Sequence, residues 1–511
     1  MVTARSGHSG SPATRGAAFA SKKNETLTDQ ALEIFAQQSS AASSPRTAQT
    51  LLRHLVSHVL CQERHTVTGL LTTAGRLDTD WTADYRLYTS QIDQRELFRP
   101  ILDGILDLLG PNDPLVVAVD DSLLPKTGST IPGSGWYKDP LGPGFHTNLV
   151  RGLKFVQLSA AVPDPANPKR ARMIPIAVSV IPKLPKPPAD ASDEERQDYE
   201  RRQSQNSPAA HALRLLRGLR QYLDQMSTQA RRIIWVCGDG NYTTSTLIPK
   251  LPARTRYIGR TRGDTHLHAP ADPATARRRG RPRSYGEKLP TPDELRRDKA
   301  VAWHHFTIQN GDSVTQLRYK HVTKAKWHKA GERRSLQVVV IAPMRFRRRK
   351  KGPWRYTKPT FILATDTRIP VEQLIQAYFW RWDIEVNFRD EKQLFGASHP
   401  QVRHPESVRN APAVCIAAYA GLLLAALRSR GLSCEPNRTQ TPKWYPTKKQ
   451  RRATTSYLRK QVQHELAARS LHFVNFSGFA REASIDQKPS KIHQAKTDPG
   501  KTLCSLSIAA A

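Results

Sequence analysis

The sequence predicts an α/β fold, and three observations predict it. Apolar residues recur at helical spacing up to residue 110, apolar β-branched runs from Pro114 onward end on aspartates, and a later helical stretch carries a tyrosine and charged residues along one face. At 511 residues the chain is long enough for two or three domains and a sizeable core. Lys and Arg outnumber Asp and Glu by 79 to 44, giving a formal charge of +35 and a pI near 10.3. Such self-repulsion calls for a neutralising polyanion, and nucleic acid is the one it favours. A ribosomal or chromatin-like role would also explain the charge, though in shorter chains. The five cysteines, at 61, 237, 415, 434 and 504, show no paired spacing, so neither a zinc site nor a disulfide framework is indicated and a reducing cytoplasm fits.

Residues 1–24 are rich in Ser, Ala and Arg and free of acids. They superficially resemble an organelle transit peptide and are read as a disordered basic arm. Residues 25–110 read as a helical N-terminal domain with a possible DNA-binding role, a plain structural bundle being the competing reading. Ser44-Pro45 is a cap followed by a first-turn proline, after which Leu51, Leu52, Leu55, Val56, Val59 and Leu60 keep helical spacing. Leu97, Ile101, Leu102, Ile105, Leu106 and Leu109 form a second stripe that stops at Gly110.

At Pro114 the period changes. Residues 114–122, PLVVAVDDS, read as a buried strand that delivers Asp120 and Asp121 to its end. These neighbours point to opposite faces, so the strand alone does not choose between them. Further strands are expected at 153–162 and 173–181, then a Pro- and charge-rich linker over 182–205, a helix marked by Leu213, Leu216, Leu219, Leu223 and Met226, and a strand at 232–239 ending on Asp239. This order resembles a ribonuclease-H-like fold, in which the first and fourth strands adjoin and would bring Asp120 and Asp239 together. The loop at 121–151 is crowded with Gly and Pro and is read as structural, against DNA contact through Lys126, Lys138, His146 and Arg151.

The catalytic core is therefore placed at 111–254 and 360–430, with a basic β-rich insertion at 255–359 whose strands are expected at 256–261, 301–308, 313–321, 336–344 and 360–366, the last returning the chain to the core. Two basic stretches mark the insertion. Residues 277–283, RRRGRPR, include Arg279 and Arg281 around an Arg-Gly-Arg-Pro unit that resembles the AT-hook of minor-groove binders. A solvated loop touching phosphates without specificity is the competing reading. Residues 345–356 set Arg347, Arg348 and Arg349 among Phe346, Trp354 and Tyr356, a combination of cations for phosphates and rings for exposed bases that tolerates single strands. A charged hairpin tip is its alternative. The apolar run 411–427 is marginal for a membrane span and is read as a core helix. Residues 431–511 are basic and Pro-rich, partly disordered, with one helical pattern in Leu458, Val462 and Leu466 and no heptads.

The chain is organised around residues 371–395, VEQLIQAYFWRWDIEVNFRDEKQLF, read as one helix with Pro370 in its first turn and Gly396 as its stop. At about 100° per residue, Tyr378, Arg381, Glu385 and Lys392 fall in a stripe roughly 60° wide. A carboxylate beside cations and a phenol suits phosphodiester chemistry, since the carboxylate can hold a divalent metal while Arg and Lys hold the backbone. A solvated face of Glu/Arg/Lys pairs is the bland alternative.

The spacing Tyr, two residues, Arg, three residues, Glu, six residues, Lys resembles the YREK signature of bacterial insertion-sequence DDE transposases, and Trp382 and Ile384 extend the match through RWDIE. The resemblance spans roughly residues 110–430. It implies a cut-and-paste enzyme with a ribonuclease-H-like core, in which Asp120, Asp239 and Glu385 are the catalytic carboxylates and hold Mg²⁺ or Mn²⁺. Family members carry Asp, any residue, then Ser or Thr, which selects Asp120 with Ser122 over Asp121, and Gly238 to Tyr242 looks like the family's Asp-centred turn. It further implies that Tyr378, Arg381 and Lys392 bind phosphates, that Trp382 helps hold distorted end DNA, and that a hairpin intermediate is plausible. The implied partners are inverted-repeat ends, target DNA and a second copy in an active homodimer, in the bacterial cytoplasm at the nucleoid and with no membrane. Two alternatives stand beside it: a domesticated or inactive DNA-binding protein, and a metal-dependent endonuclease without strand transfer.

Overall fold

In the computed structural model, residues 25–139, 148–164, 167–272, 284–310, 313–331, 334–347, 352–431 and 453–470 are described. The basic arm 1–24, His146, Arg279, Arg281, Arg348, Arg349, the basic run 448–452 and the tail beyond 470 lie outside them.

The described residues open with five helices, α1 (Leu27–Ser39), α2 (Pro45–Leu60), α3 (Val67–Thr73), α4 (Thr82–Thr89) and α5 (Gln94–Leu108). Ser44 caps α2 by accepting from the Thr47 N–H at 3.2 Å, with Pro45 in the first turn where a missing N–H costs nothing. Leu51, Leu55 and Val59 of α2 and Leu97, Ile101 and Ile105 of α5 are buried in the same apolar cluster as the strands that follow.

Those strands form one ten-stranded sheet. Its members are β1 (Leu115–Pro125), β2 (Gly135–Lys138), β3 (Leu149–Asp164), β4 (Asn167–Ile181), β5 (Ile234–Gly238) and β6 (Thr255–Thr261), then β9 (His304–Asn310), β10 (Ser313–Ala325), β11 (Leu336–Ile341) and β14 (Thr360–Ala364). The order is β2-β3-β1-β5-β6-β14-β11-β10-β9, with β4 also on β3. Strands β1, β5 and β6 run parallel, and every other pairing in the sheet is antiparallel. The strands expected between 256 and 344 thus continue the central sheet, and β6 extends its parallel part. Two short ribbons stand apart: β7 (Leu267–Pro270) with β8 (Tyr285–Leu289), and β12 (Arg345–Phe346) with β13 (Arg355–Tyr356).

Between β4 and β5 the segment expected to be a linker contains the helix α6 (Asp193–Gln205), ahead of α7 (Pro208–Gln225). α6 has no buried residue, so no apolar stripe betrays it. A capping box between Ser192 and Glu195 and three acids in its first turn hold it instead.

The segment expected to be one helix is two, α9 (Val371–Trp380) and α10 (Asp383–Gln393), beyond the single-turn α8 (Pro292–Arg297). Pro370 is the cap of α9 rather than its first residue. Arg381 and Trp382 keep right-handed helical torsions, but Trp382 N–H donates to Phe379 O, Ile384 N–H to Arg381 O and Glu385 N–H to Trp382 O, each three residues back. A tightened turn of that kind marks a hinge or a tertiary demand. Gly396, with φ of +62°, ends the segment in the left-handed region as its position predicts.

The helix α11 (Pro405–Arg430) packs against α1, α2, α4, α5 and β4. Its most apolar 18-residue window is wholly buried in protein, so it fills the role of a core helix. Last, α12 (Thr455–Ser470) docks through Arg459, which donates to the carbonyls of Val59 and Leu394.

Strand alternation sets what each face of the sheet sees. Gln157 and Ser159 of β3 bond to Glu391 and Asn387 of α10, whereas Leu158 between them lines a cleft against α5 and α7. The helix α10 therefore lies on the face opposite α5 and α7.

Candidate active site

Adjacent parallel strands put Val119 beside Gly238. The next residues, Asp120 and Asp239, therefore follow the last parallel pair of neighbouring strands, which lie about 4.8 Å apart in a sheet; Asp239 follows the end of β5, but Asp120 is inside β1, which runs on to Pro125 against β3 instead of ending at the aspartates as its sequence suggests. Crevices outside the carboxyl ends of parallel strands are where open sheets offer room for ligands. Here the crevice is a cleft of about 1480 Å³, lined by Asp120 and Asp239 and, from the α9–α10 segment, by Tyr378, Arg381, Trp382 and Glu385.

Alternation resolves the two aspartates of β1. Asp120 shares its face with Ser122 and meets α9–α10: Arg381 Nη1 donates to Asp120 Oδ2 at 3.0 Å, and Lys392 Nζ donates to Ser122 Oγ at 2.6 Å. Asp121 is engaged on the other face, by the Tyr242 hydroxyl at 2.9 Å and by Lys154 Nζ at 2.8 Å. Asp239 sits in a turn in which its own Oδ1 accepts the Asn241 N–H at 2.8 Å, an Asx-type brace for a carboxylate at a strand end. Gly238 before it must be small, because a Cβ there would meet the Tyr257 hydroxyl at 2.6 Å and Tyr242 Cβ at 3.0 Å.

Arg381 links the carboxylates. Besides its bond to Asp120, its Nη2 lies 3.9 Å from Glu385 Oε1, and its Nε is buried with no partner. Burial pushes the Asp120 carboxyl up to about 7, the Arg381 charge opposing and the Asp239 charge adding to the rise. Burial also raises Asp239, against the Asn241 N–H bond, and raises Glu385, against Arg381. All three carboxyls are thus raised by burial first, with Arg381 opposing the rise in each.

Among the described residues no three His, Cys, Asp or Glu side chains stand close enough together to hold a metal ion. The donor set is nevertheless that of a hard divalent cation, two Asp and one Glu. Arg381 is the cation that balances them in this arrangement.

The other predicted residues fall as follows. Tyr378 is largely buried, with the Arg381 guanidinium 5.6 Å from its ring centre, and burial raises its hydroxyl. Trp382 is 54% exposed at the cleft. Lys392 leaves the stripe: it is turned to Ser122 beneath the cleft, where burial lowers its ammonium. Arg347 is exposed on the β12–β13 ribbon, far along the chain from these groups. Lys126, weighed as a DNA contact, is buried and donates to the carbonyls of Ser398 and Pro400 at 3.0 and 2.6 Å. Arg151 is tied to the Ser129 carbonyl and the Ser134 hydroxyl of its own loop.

The sequence reading missed the far wall of the cleft, formed by Arg260, Arg262, His328, Lys329 and Lys358. Arg260 and Arg262 close β6, the third parallel strand, so the same strand-end rule that singles out Asp120 and Asp239 applies to them. Lys329 and Lys358 carry no local signal, since only the antiparallel return of β10, β11 and β14 brings them round.

Comparison with curated proteins finds no significant match. The sequence pattern of the DDE superfamily endonucleases matches residues 34–334, more than half of the chain. The matched span holds Asp120 and Asp239 and stops before Glu385. With this match over more than half of its length, and a mixed sheet carrying both aspartates, the chain belongs to the DDE superfamily endonucleases.

Proposed function

We propose that the protein is a DDE transposase of the insertion-sequence type, which cleaves DNA at the element's ends and joins them to target DNA. The observation that carries the reading is the meeting of Asp120, Asp239 and Glu385 on one cleft, from two neighbouring strands and one helix, with Arg381 bonded to Asp120 and 3.9 Å from Glu385. The strand order β4-β3-β1-β5-β6, with β1, β5 and β6 parallel, supports reading the core as ribonuclease-H-like.

In this reading Asp120, Asp239 and Glu385 hold Mg²⁺ or Mn²⁺. Bound there, such a cation would supply activation of a water or 3′-hydroxyl and neutralisation of charge on the leaving oxygen. Arg381 holds Asp120 in place and offers its remaining donors to a phosphate, as a guanidinium's planar fork is suited to do. Tyr378 packs against Arg381, Trp382 presents an exposed ring to DNA at the cleft mouth, and Lys392 fixes Ser122 and with it the end of β1. The basic far wall, with Arg260, Arg262, Lys329 and Lys358, attracts the phosphate backbone into the cleft. Arg279, Arg281, Arg347, Arg348 and Arg349 add further DNA contacts. The working form is a homodimer on paired ends, at the bacterial nucleoid.

The test is an assay on the DNA flanking the gene, with and without Mg²⁺ or Mn²⁺. The proposal expects metal-dependent nicks at inverted-repeat ends and products joined to target. Cleavage without joined products would mean a hydrolytic endonuclease. Binding without cleavage would mean a DNA-binding protein that no longer does chemistry.

A further inference from the structure

Tyr257 lies on β6, the third parallel strand, and is fully buried. Two residues on stands Gly259, which the register sets beside Gly238 of β5, one residue before Asp239. Residues two apart on a strand share a face, and both glycines lie where the Tyr257 ring extends. A Cβ at Gly259 would fall on that ring, and one at Gly238 would meet its hydroxyl at 2.6 Å. The glycines thus form a trough across neighbouring strands, and glycine inside a strand suits a place where another group approaches the backbone closely. The group here is a phenol, and the trough leads its oxygen to the turn that carries Asp239.

At the end of the trough the Tyr257 hydroxyl donates to the Asp239 carbonyl at 3.1 Å and lies 3.1 Å from Thr243 Oγ1. Thr243 Oγ1 lies 3.2 Å from the same carbonyl and 2.6 Å from that of Arg260. Each hydroxyl has one proton. The shortest contact takes that of Thr243, so Tyr257 supplies the proton directed at Asp239. Burial holds the phenol well above its usual value near 10, which keeps it a neutral donor. The bonds therefore run from the Asp239 turn through Tyr257 and Thr243 to the end of β6, where Arg260 and Thr261 line the cleft.

A buried phenol needs a partner, and many a carbonyl would satisfy it. The partners found here are those of the site. The Asp239 carbonyl also accepts the Tyr242 N–H at 3.2 Å, and the Asp239 carboxylate accepts the Asn241 N–H at 2.8 Å. Main chain and side chain of Asp239 are therefore both held by the turn that follows, and Tyr257 and Thr243 tie that turn to β6. Groups that orient a ligating carboxylate govern how well it holds a metal without touching the metal themselves. Thr243 extends the same restraint to Arg260, on the far wall of the cleft.

We propose that Tyr257 and Thr243 are positioning residues for the cleft: their hydroxyls hold the Asp239 carboxylate in the orientation from which it would bind a divalent ion, and fix it relative to Arg260. The proposal rests on the metal-dependent DNA-cutting reading given above and adds which buried groups make its second aspartate a competent ligand.

The test uses full-length wild type, Tyr257→Phe, Thr243→Val and Thr243→Ser, each mixed with duplex DNA. Mn²⁺ binding is read from the electron paramagnetic resonance signal of the free ion, with duplex alone as the blank, and Tm is measured beside it. Tyr257→Phe keeps the ring in its trough and loses the hydroxyl, so Mn²⁺ should bind about tenfold more weakly at unchanged stoichiometry. Thr243→Val should weaken Mn²⁺ similarly and lower duplex affinity as well, since Arg260 is released. Thr243→Ser keeps the hydroxyl and should match wild type. A hydroxyl that serves the fold alone would lower Tm and the fraction of protein able to bind, with the Mn²⁺ affinity of that fraction unchanged, and this result overturns the proposal. Should Tyr257→Phe fail to fold, the Thr243 variants decide, and equal Mn²⁺ affinity in Val and Ser overturns it. Wild type that binds Mn²⁺ while both hydroxyl-free variants match it overturns the positioning role alone. Wild type that takes up no Mn²⁺ above the blank overturns the metal-dependent reading as well.

Discussion

Arg381 donates to Asp120 at 3.0 Å across 261 positions of sequence, and this bond fastens the α9–α10 segment to the middle of β1. The guanidinium is buried and lies between a carboxyl raised to about 7 and a second at 3.9 Å, so it serves as the counter-charge of the cleft. Replacing it leaves Asp120, Asp239 and Glu385 with one another's charge and less to oppose it.

Arg381→Ala should therefore retain DNA binding through the basic surface but lower cleavage by about 10²- to 10³-fold, the scale for losing one preorganised electrostatic group. Arg381→Lys should recover part of this, since it restores the charge without the fork. Parallel measurement of binding and of strand nicking decides it. Equal loss of both would make Arg381 a fold-stabilising residue only.

Beneath the cleft, Glu391 is fully buried and accepts from Gln157 Nε2 at 2.9 Å, while its other oxygen has no partner. Burial pushes its carboxyl from the ordinary 4.5 up to about 8, against the Gln157 bond. Below pH 4.5 both folded and unfolded forms are protonated and this group gives no pH dependence. Between about 4.5 and 8 the unfolded chain releases the proton while the folded chain keeps it, so stability falls as pH rises. Glu391→Gln removes the titration. The gap between variant and wild-type Tm should widen in the variant's favour from pH 5 to pH 8, as followed by calorimetry. A gap constant with pH would show that Glu391 does not titrate there.

Lys126 illustrates the opposite case, a cation that serves the fold. Its Nζ ties the loop after β1 to the carbonyls of Ser398 and Pro400 behind α10. Lys126→Met should cost about 1–3 kcal/mol by leaving buried carbonyls unpaired, and should leave the salt slope of DNA binding unchanged. A reduced slope in the variant would return Lys126 to the phosphate-binding surface.

The parts of the fold legible in the sequence were those whose signal is local. Buried strands such as Leu115–Pro125 and Ile234–Gly238 announce themselves as apolar β-branched runs; the run's stop places Asp239 just past β5, but it misplaces the end of β1, which its pairing with β3 carries on from Asp120 to Pro125. Strand alternation alone left Asp120 and Asp121 open, because which face meets α9–α10 is a tertiary fact, and only the resemblance through Ser122 pointed to Asp120. The break at Arg381–Trp382 was not legible at all: neither residue breaks a helix, and the tightened turn accompanies a bond to a strand far away in the chain. The helix α6 escaped notice because it is polar on every side, and Arg260 and Lys358 because only the sheet order brings them to the cleft. Lys392 shows the limit of stripe arguments: seven residues past Glu385, it turns to Ser122 instead of the cleft.

With a formal charge of +35, DNA affinity should fall steeply with salt, by about 10³- to 10⁵-fold between 50 and 200 mM if six to ten phosphates are neutralised. Removing residues 277–283 should weaken binding, more on A·T-rich than on G·C-rich DNA if Arg279 and Arg281 enter a minor groove. Equal losses on both sequences would leave only non-specific phosphate contact.

Glu385→Gln separates chemistry from everything else the cleft does. Gln is close in shape and a good helix former, so α10 should persist, and Glu385 makes no hydrogen bond among those that hold α10 to β1 and β3, which fall to Asn387, Glu391 and Lys392. The basic surface is untouched, and removing a negative charge near phosphates favours binding. What is lost is an anionic oxygen, which an amide replaces poorly as a ligand for a hard divalent ion. The loss also relieves Asp239 of a like charge, so the two remaining carboxyls should ionise more readily, and any fall in cleavage cannot be blamed on their protonation. The variant should fold, bind DNA as well as wild type or better, and fail to nick or join it in Mg²⁺ or Mn²⁺. Cleavage at the wild-type rate would make Glu385 a helix-face carboxylate and end the three-carboxylate mechanism.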